Sequence, residues 1–548
     1  MTSPRTTMTG LVHLPAPANE PARDFAPGSD DALRLRKELD RVAGDIRTLT
    51  HVVGGRRPEA TETTDVVAPH DHGHVLARIP TATDAIVDEA IDAALTARAG
   101  WSTTPWFERA AVLLRAAELA AGRYRDELLA TTMLCQSKTY HQAEIDINEL
   151  VDFFRYNAHL AEEIYAVQPP VSPAGQVNYV DHKGLEGFVL AVTPFNFTAI
   201  AGNLPAAPAL MGNVVVWKPS EKSALSSDVV MRVFEEAGFP PGVINLVHGS
   251  GEHVTERVAA HRDFAGLSFT GSTSVFRRIW KRVGDNIENY RSYPRIVGET
   301  GGKNAIVVHP SADVDAVHSA LVRGAFEYQG QKCSAASRAY IPRSIWDTME
   351  SKLADTVGSL PVGDIVEHGT FVGAVIDETA QQRLQTAFDR VVGTPGHRIL
   401  VGGTTDREVG WFVDPTVVVT EDPRSFVMEE EFFGPLLAVH VYDDDRWEQT
   451  LDLVDGTSDY ALTCSIFATD RAAIVTALDT LREAAGMTYV NDKPTGASIG
   501  QQQFGGGRGS GTNDKTGSAL ALQRWVNARF VKENFAPATT WTYPYMGV

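Results

Sequence analysis

The chain has 548 residues, of which 43% are hydrophobic and 22% are charged, and this composition is typical of a globular protein of two or three domains. A formal net charge of −20 argues against a nucleic-acid partner, because binding to phosphates requires a basic face. Three cysteines cannot build a disulfide framework, and the chain has no apolar run of membrane-spanning length. Residues 1–17 lack the apolar core of a signal peptide and the repeated arginines of a transit peptide, so we expect neither. We therefore expect a cytoplasmic protein without a membrane partner.

The first third of the chain is predicted to be mostly helical. Residues 1–30 are rich in proline, alanine, threonine and serine, and are expected to form a loose N-terminal arm. Apolar residues at helical spacing predict helices, at 31–48, 84–99, 108–133 and 148–166. The alternating histidines at 70–74 are interpreted as polar turn residues, since no second cluster of ligands lies near them in sequence, and no metal site is predicted.

From residue 187 onward, strand patterns alternate with helix patterns. The predicted strands are 187–192, 214–218, 243–247, 266–269 and 305–309. The predicted helices between them are 203–211, 223–237, 254–260 and 272–283. This alternation predicts an α/β fold with a parallel, doubly wound sheet that binds ligands at the carboxyl ends of its strands.

A second α/β stretch is predicted at 313–481, with a helix at 314–328 and strands at 411–420 and 462–468. Residues 505–517 are rich in glycine. The tail, 524–548, mixes aromatic residues with proline and is predicted to add a strand to a partner subunit.

Cys333 follows Lys332 in a short polar turn, between the predicted helix at 314–328 and a strand pattern at 338–341. A neighbouring cation favours the thiolate, which is the nucleophilic form of cysteine. The alternative is a buried cysteine that acts as a small hydrophobic residue, and we interpret Cys135 and Cys464 in that way.

Four turns at strand ends carry residues suited to chemistry. Asn196 follows the first strand, Lys218 ends the second and Glu299 stands beside a glycine pair. The turn at 269–272 opens a helix, whose free N–H groups suit a phosphate. Four such turns ahead of a cysteine in this order predict a nucleotide site next to a nucleophile.

These motifs resemble the aldehyde dehydrogenase superfamily, and the resemblance extends from about residue 50 onward. The stretches 193–200, 331–334 and 509–515 are similar to the branch that oxidises L-glutamate γ-semialdehyde. The resemblance implies an aldehyde dehydrogenase-like fold with a Rossmann-type domain. Its implied parts are an NAD-binding domain at 31–170 and 187–300, a catalytic domain at 301–500, a return segment at 501–523, and a small β segment for oligomerisation at 171–186 and 524–548.

The resemblance also implies three catalytic roles. Cys333 attacks the aldehyde carbon. The side-chain amide of Asn196 and the backbone N–H of Cys333 stabilise the oxyanion. Glu299 is the general base for hydrolysis of the thioester. Taken alone, Glu299 would be interpreted as a solvated loop carboxylate.

NAD is the cofactor that the resemblance implies. Its implied ligands are Phe195, Lys218, Ser220, Glu221, Gly271, Ser272, Glu431 and Phe433. A carboxylate at Glu221 that accepts from the ribose 2′-hydroxyl repels a 2′-phosphate, so NAD is expected rather than NADP. Packing at a helix end before a Gly-Pro turn is the alternative interpretation of Glu431 and Phe433.

Substrate binding is implied for a further set of residues, which are Phe197, Ser334, Gly496, Ala497 and Phe504. The donors hold the α-carboxylate of the substrate, and the two phenylalanines enclose its aliphatic chain. Gln503 departs from the pattern, because related sequences commonly have proline there. This change is expected to loosen the loop that holds the carboxylate but to leave its backbone donors in place.

The expected activity is NAD-dependent oxidation of L-glutamate γ-semialdehyde, which forms from 1-pyrroline-5-carboxylate, to L-glutamate in proline breakdown. We expect a homodimer or higher homo-oligomer and a functional pairing with proline dehydrogenase. The alternatives are oxidation of another aldehyde, a catalytically silent homologue, and a cysteine hydrolase. A hydrolase would need a histidine base, and the motif stretches contain no histidine.

Overall fold

The computed structural model describes residues 12–59 and 62–547. Its helices, in chain order, are α1 (Asp30–Ala43), α2 (Asp84–Trp101), α3 (Trp106–Ala121), α4 (Arg125–Gln136), α5 (Tyr140–Ala166), α6 (Thr198–Leu210), α7 (Ala224–Ala237), α8 (Gly251–Ala259), α9 (Thr273–Asp285), α10 (Val314–Phe326), α11 (Arg343–Gly358), α12 (Glu378–Val392), α13 (Phe426–Glu429), α14 (Trp447–Gly456), α15 (Arg471–Thr480) and α16 (Ala519–Gln523).

The strands alternate with these helices over most of the chain. They are β1 (Arg47–Thr48), β2 (Thr63–Ala68), β3 (Asp71–Pro80), β4 (Gln176–Lys183), β5 (Phe188–Val192), β6 (Val215–Lys218), β7 (Ile244–Leu246), β8 (Phe264–Thr270), β9 (Arg295–Glu299), β10 (Asn304–Val308), β11 (Ala336–Pro342), β12 (His397–Val401), β13 (Thr405–Asp406), β14 (Phe412–Val413), β15 (Thr416–Thr420), β16 (Leu436–Tyr442), β17 (Tyr460–Ala461), β18 (Thr463–Phe467), β19 (Met487–Val490), β20 (Gly507–Arg508) and β21 (Asn527–Asn534).

The first large sheet has five parallel strands in the order β7-β6-β5-β8-β9. Its strands are buried at nearly every position, because helices cover both faces of the sheet. From β5 the chain first adds β6 and β7 on one side of the sheet, and then β8 and β9 on the other side. Ligands of such sheets bind in the crevice between the two strands where the order reverses, which here are β5 and β8. The predicted α/β, doubly wound architecture is confirmed.

The second large sheet has seven strands in the order β12-β15-β16-β11-β10-β18-β19. Only β12 is antiparallel to its neighbour in this sheet. The strand predicted at 305–309 belongs here and not to the first sheet, because the chain crosses between the sheets at residues 300–303. The fifth strand of the first sheet is instead β9, which the sequence pattern did not predict.

Several predicted helices have different ends in the structure. The single helix predicted at 108–133 is two helices, α3 and α4, since the chain turns between Gly122 and Tyr124. The helix predicted at 31–48 stops at Ala43, and β1 then pairs with β3. The helix predicted at 148–166 begins earlier, at Tyr140.

A two-stranded antiparallel ribbon joins β4 to β21 with an unbroken register from Gln176–Asn534 to Lys183–Asn527. The two segments predicted to form one oligomerisation unit therefore lie together. The strand predicted in the tail pairs within its own chain. Large apolar side chains are exposed on and beside the ribbon, with Phe530 73% and Phe535 67% exposed.

The part of the N-terminal arm that precedes α1, residues 12–29, contains neither helix nor strand. It lies along α5, where backbone and side-chain groups from Leu14 to Arg23 bind carboxylates of that helix. The arm that was predicted to be loose is held at these points.

The rings of His72 and His74, two of the three histidines at 70–74, contact the protein backbone. The Nε2 atom of His72 lies 3.0 Å from the Arg407 carbonyl, and that of His74 lies 2.8 Å from the Ala43 carbonyl. In the described ranges, no cluster of three or more His, Cys, Asp or Glu side chains is arranged to hold a metal ion.

Among the described residues, no helix is both long enough and apolar enough to cross a membrane.

Candidate active site

A cavity of about 360 Å³ lies between the two large sheets and is large enough for a small substrate. The carboxyl ends of β5, β8 and β9 meet the amino ends of β10, β11 and β18 at this place. The predicted residues that line it are Phe197, Glu299, Cys333, Ser334, Gly496, Ala497 and Phe504. The fold therefore gathers residues that are distant in sequence into one cavity.

The turn that precedes Cys333 has an unusual backbone conformation. Tyr328, Gln329 and Gly330 follow one another in the left-handed region, with φ of 52°, 54° and 65°. A side chain at Gly330 would collide with the Gly434 carbonyl. The Gln329 amide offsets the strain by donating to two carbonyl oxygens, each at 2.8 Å. Such strain is common at functional sites.

Asn304, at the start of β10, holds the backbone of the cysteine turn. Its Nδ2 donates to the carbonyl oxygens of Cys333 at 2.7 Å and Ala335 at 2.8 Å. Its Oδ1 accepts from the Thr463 N–H at 3.0 Å. This role of Asn304 was not predicted, although the residue directly follows the glycine pair and a lysine.

Asn196 is buried, and its Nδ2 donates to the Gln331 carbonyl at 3.0 Å. An amide nitrogen carries two hydrogens, so this bond fixes the plane of the side chain and leaves a second donor. Because Gln331 lies two residues before Cys333, the predicted oxyanion donor is held against the cysteine turn.

Glu299, the last residue of β9, has a buried carboxyl group. One oxygen accepts from the Gly506 N–H at 3.4 Å, and the other is buried without a partner among the described residues. Burial raises the pKa of this carboxyl well above its usual range. A carboxylate with a raised pKa is a stronger base, which suits the predicted role.

The thiol of Cys333 is also affected by its surroundings. Burial raises the pKa of the thiol above its ordinary value, and the charge of Glu299 is the second largest cause of this rise. Lys332 was expected to favour the thiolate, but its ammonium lies 3.2 Å from the carboxylate of Glu327. Burial lowers the pKa of Lys332 to about 8, although Glu327 opposes that shift. A base that removes the thiol proton is therefore needed at neutral pH.

One end of the cavity carries donors for an anion. The hydroxyls of Ser334 and Thr495 lie 2.8 Å apart, and the ammonium of Lys493 donates to the Thr495 carbonyl at 3.0 Å. Gly496 has a φ of +96°, a conformation that glycine adopts without strain. Thr495 and Lys493 were not predicted, because their contacts depend on the folded loop.

Phe197 is fixed by a buried ion pair. The ammonium of Lys138 lies 3.9 Å from the centre of the Phe197 ring and 2.7 Å from a carboxylate oxygen of Asp146. Asp146 also accepts from the N–H groups of Thr198 and Ala199, at 2.9 and 2.8 Å, at the start of α6. This charge pair and the helix end hold the wall of the cavity.

The predicted nucleotide ligands fall at two strand ends. Lys218, Ser220 and Glu221 end or follow β6, and burial lowers the pKa of Lys218. Gly271 and Ser272 follow β8, where a side chain at Gly271 would lie 2.8 Å from the Phe269 ring. Ser272 caps α9, a helix of 13 residues whose amino end favours an anion.

The remaining predicted cofactor ligands lie next to the cysteine turn. Glu431 accepts from the Gly302 N–H at 2.7 Å, and a side chain at Gly301 would collide with its carboxylate. The rings of Phe195 and Phe433 meet edge to face, with centres 5.8 Å apart. Phe433 has a φ of 51°, which indicates a constrained turn.

Comparisons with known proteins agree with this geometry. The model of the aldehyde dehydrogenase family matches residues 56–531. Δ1-Pyrroline-5-carboxylate dehydrogenase, mitochondrial, of Dictyostelium discoideum is 47% identical over 98% of this chain and 96% of its own length.

Two solved structures are also similar. The Δ-pyrroline-5-carboxylate dehydrogenase of Mycobacterium tuberculosis bound with NAD has a TM-score of 0.95 and 50% identity, over 99% of this chain and 100% of that one. Proline utilization A of Bdellovibrio bacteriovorus has a TM-score of 0.90 and 31% identity, over 95% of this chain and 54% of that one. The chain therefore belongs to the aldehyde dehydrogenase family.

Proposed function

We propose that this protein oxidises L-glutamate γ-semialdehyde to L-glutamate with NAD as the oxidant. The observation that carries the proposal is the cavity that contains Cys333 and Glu299 at one place and the donors around Ser334 and Gly496 at another. It accommodates both an aldehyde and a carboxylate of the same small molecule. The similarity to Δ1-pyrroline-5-carboxylate dehydrogenases supports the same substrate.

The residues that would hold NAD fit its chemistry. The amino end of α9 at Ser272 suits the pyrophosphate, and Lys218 with Glu221 suits the adenosine ribose hydroxyls. Glu431 and the Phe195–Phe433 pair would lie at the nicotinamide end, next to the cysteine turn. When bound, NAD accepts the hydride that leaves the substrate carbon.

The cysteine performs the first step. Its thiol first loses a proton to solvent, and the charge of Glu299 opposes this loss. The sulfur then bonds to the aldehyde carbon, and the carbonyl oxygen becomes an oxyanion. The free N–H of Asn196 and the backbone N–H of Cys333 stabilise this charge, because Gln331 and Asn304 already hold both groups in place.

Hydrolysis completes the reaction. After the hydride has left, the substrate is a thioester of Cys333. Glu299 takes a proton from water, the water oxygen bonds to the thioester carbon, and the carbon–sulfur bond breaks. The products are the carboxylic acid and the free cysteine.

The end of the cavity that would bind the substrate carboxylate accounts for the proposed preference for glutamate semialdehyde. The Ser334 hydroxyl and the backbone N–H groups of Gly496 and Ala497 are donors for the α-carboxylate. Lys493 adds a positive charge beside this loop, and Phe197 and Phe504 enclose the aliphatic chain. An aldehyde without a carboxylate would leave these donors without a partner in the bound complex, at a cost in binding.

Substitution of Ser334 by alanine tests the substrate assignment. The KM for glutamate semialdehyde should rise about tenfold, whereas the KM for propanal should change by less than about twofold. NADH formation is followed by absorbance, with succinate semialdehyde as a second carboxylated aldehyde and with NADP in place of NAD. Equal changes in both KM values, or a preference of the unmodified enzyme for propanal, would contradict the proposed substrate.

We also propose that the β4–β21 ribbon joins copies of this chain into a homodimer or higher homo-oligomer. The exposed Phe530 and Phe535 support this role, since such side chains are seldom left in water in a monomer. Substitution of Phe530 by glutamate should lower the mass measured by light scattering. An unchanged mass would contradict the proposal.

Two further expectations concern the cell. We propose a functional pairing with an enzyme that supplies pyrroline-5-carboxylate, supported by the similarity to proline utilization A. Coupled assays with proline dehydrogenase would test it through the lag before NADH appears. A cytoplasmic location stays a prediction, because a similar protein is named as mitochondrial.

A further inference from the structure

The N-terminal arm lies against the cavity. Asn19, Glu20 and Ala22 line it together with Cys333 and Gly496. Neither the catalytic steps nor cofactor binding uses these residues. Their position raises the question of what the arm contributes to the site.

The arm runs antiparallel to α5. The Leu14 N–H donates to Glu162 at 2.9 Å, the Glu20 N–H to Asp152 at 2.7 Å, and the Arg23 N–H to Glu144 at 2.8 Å. Three backbone groups therefore bind three carboxylates that are spaced along one helix. These contacts hold the arm on both sides of Asn19.

Asn19 connects three parts of the chain through its side-chain amide. Its Nδ2 donates to a carboxylate oxygen of Asp152 at 2.7 Å and to the Ile499 carbonyl at 2.8 Å. Its Oδ1 lies 3.2 Å from the Gln501 amide nitrogen and 3.3 Å from the Tyr156 hydroxyl, both of which donate to it. The amide thus uses both of its donors and both lone pairs.

The segment that Asn19 holds is the one that carries the carboxylate donors. Residues 491–503 contain neither helix nor strand, and Gly496 and Gly500 have φ of +96° and +86°. A side chain at Gly500 would collide with the Tyr156 ring, so this segment is pressed against α5. The Asn19 side chain, on the arm, also holds this segment through its hydrogen bond to the carbonyl of Ile499, which is three residues after Gly496.

We propose that Asn19 is a positioning residue for substrate specificity, which holds the 495–501 loop so that its N–H groups can receive the α-carboxylate of the substrate. The proposal rests on the proposed function, since it assigns the arm to the carboxylate end of that site. Asn19 acts through the loop and has no part in the chemistry at Cys333. Its loss should therefore affect carboxylated aldehydes and spare uncharged ones.

Substitution of Asn19 by alanine tests this inference by steady-state kinetics. The KM for glutamate semialdehyde should rise about tenfold, and kcat with that substrate should stay within about twofold. The kinetic constants for propanal and the KM for NAD should also stay within about twofold. A purely structural effect would instead lower kcat for both aldehydes in proportion to the fraction of unfolded enzyme.

His13 offers a matched control at the other end of the arm. It contacts Glu162 at 2.5 Å and does not touch the 495–501 loop, so His13→Ala should leave every constant unchanged. Asn19→Ser is a milder variant for use if Asn19→Ala does not fold, and its KM effect should have the same selectivity. Hydrogen exchange gives a second readout, in which amides of 495–501 should exchange faster in either Asn19 variant.

The outcomes separate the two proposals. If the unmodified enzyme does not oxidise glutamate semialdehyde, the proposed function fails. If it does so but the Asn19 variants change neither the KM for this substrate nor the exchange of the loop, only the role of Asn19 is overturned. Equal rises in KM for both aldehydes would overturn it as well.

Discussion

The side-chain amide of Asn304, the first residue of the interior strand β10, donates to the Cys333 carbonyl at 2.7 Å. A second bond, to the Ala335 carbonyl, spans the other side of the turn. The nucleophile is therefore attached to the sheet through its own backbone. This arrangement leaves the Cys333 N–H and thiol free for the substrate.

Substitution of Asn304 by aspartate should reduce kcat about tenfold to a hundredfold, because small displacements of reacting groups are costly. Aspartate keeps the acceptor for Thr463 but removes both donors to the cysteine turn. The KM for NAD should change little. Kinetics of the purified variant, with its melting temperature as a control for folding, check this expectation, and full activity would contradict it.

Substitution of Cys333 by alanine should abolish turnover, with a loss of more than about a thousandfold, while NAD still binds. Cys135 and Cys464 are the matched controls, since both are about 1% exposed and neither lines the cavity. Their alanine variants should keep their activity. NADH formation and calorimetric titration with NAD measure the two effects, and turnover by Cys333→Ala would exclude it as the nucleophile.

Alkylation of Cys333 should depend on pH in a way that follows from the raised pKa of its thiol. Because burial raises the pKa of Cys333, the thiolate fraction at neutral pH is smaller than that of a free cysteine. Inactivation of the apoenzyme by iodoacetamide should therefore be slow near neutral pH and accelerate continuously in alkaline solution. A rate that reaches its maximum below the ordinary pKa of a thiol would contradict this expectation.

Glu299→Gln should separate acylation from hydrolysis. Glutamine has the shape of the carboxyl but cannot accept the proton of water, so the thioester should accumulate after one turnover. A burst of NADH followed by slow turnover is the expected time course. Because burial raises the pKa of Glu299, kcat of the unmodified enzyme should increase with pH above the usual range of a carboxyl. The Glu299→Gln variant should lack this increase of kcat with pH. A steady-state rate equal to that of the unmodified enzyme would contradict the role of Glu299 as the general base in hydrolysis.

The first sheet was predictable because its strands are short apolar runs that end in turn residues, as at Lys218 and Gly271. The strand β9 was missed since it contains a glycine and ends in a glutamate, both of which are depleted in strands. The following strand, β10, was then placed in the wrong sheet. A strand pattern predicts that a strand forms, but it does not indicate which strands pair with it.

In the site, too, local motifs were predictable from the sequence and long-range contacts were not. Cys333 and Glu299 stand in recognisable local motifs. The pairing of Ser334 with Thr495 joins residues 161 positions apart, and that of Asn19 with Ile499 joins residues 480 positions apart. Contacts of this kind depend on packing between distant segments, and no local pattern indicates them. The arm was interpreted as loose for this reason.

Glu149 is another residue that only the folded structure indicates. It lies on α5, lines the cavity, and has its pKa raised by burial to about 8. The folded state thus favours the neutral carboxyl, whereas an unfolded chain ionises it at the ordinary pKa of 4.5. Its contribution to stability is complete below that lower value and is lost as the pH rises through about 8.

Substitution of Glu149 by glutamine should therefore raise the melting temperature of the apoenzyme relative to the unmodified protein in alkaline solution, by a few degrees near pH 8.5, and have little effect near pH 5. Glutamine stays neutral throughout, so the cost of ionising the partly buried Glu149 carboxyl disappears. Glu483, which is exposed, is the control, and its glutamine variant should show no such pH dependence. A difference in melting temperature that is independent of pH, or one that is larger in acid, would contradict the raised pKa of Glu149.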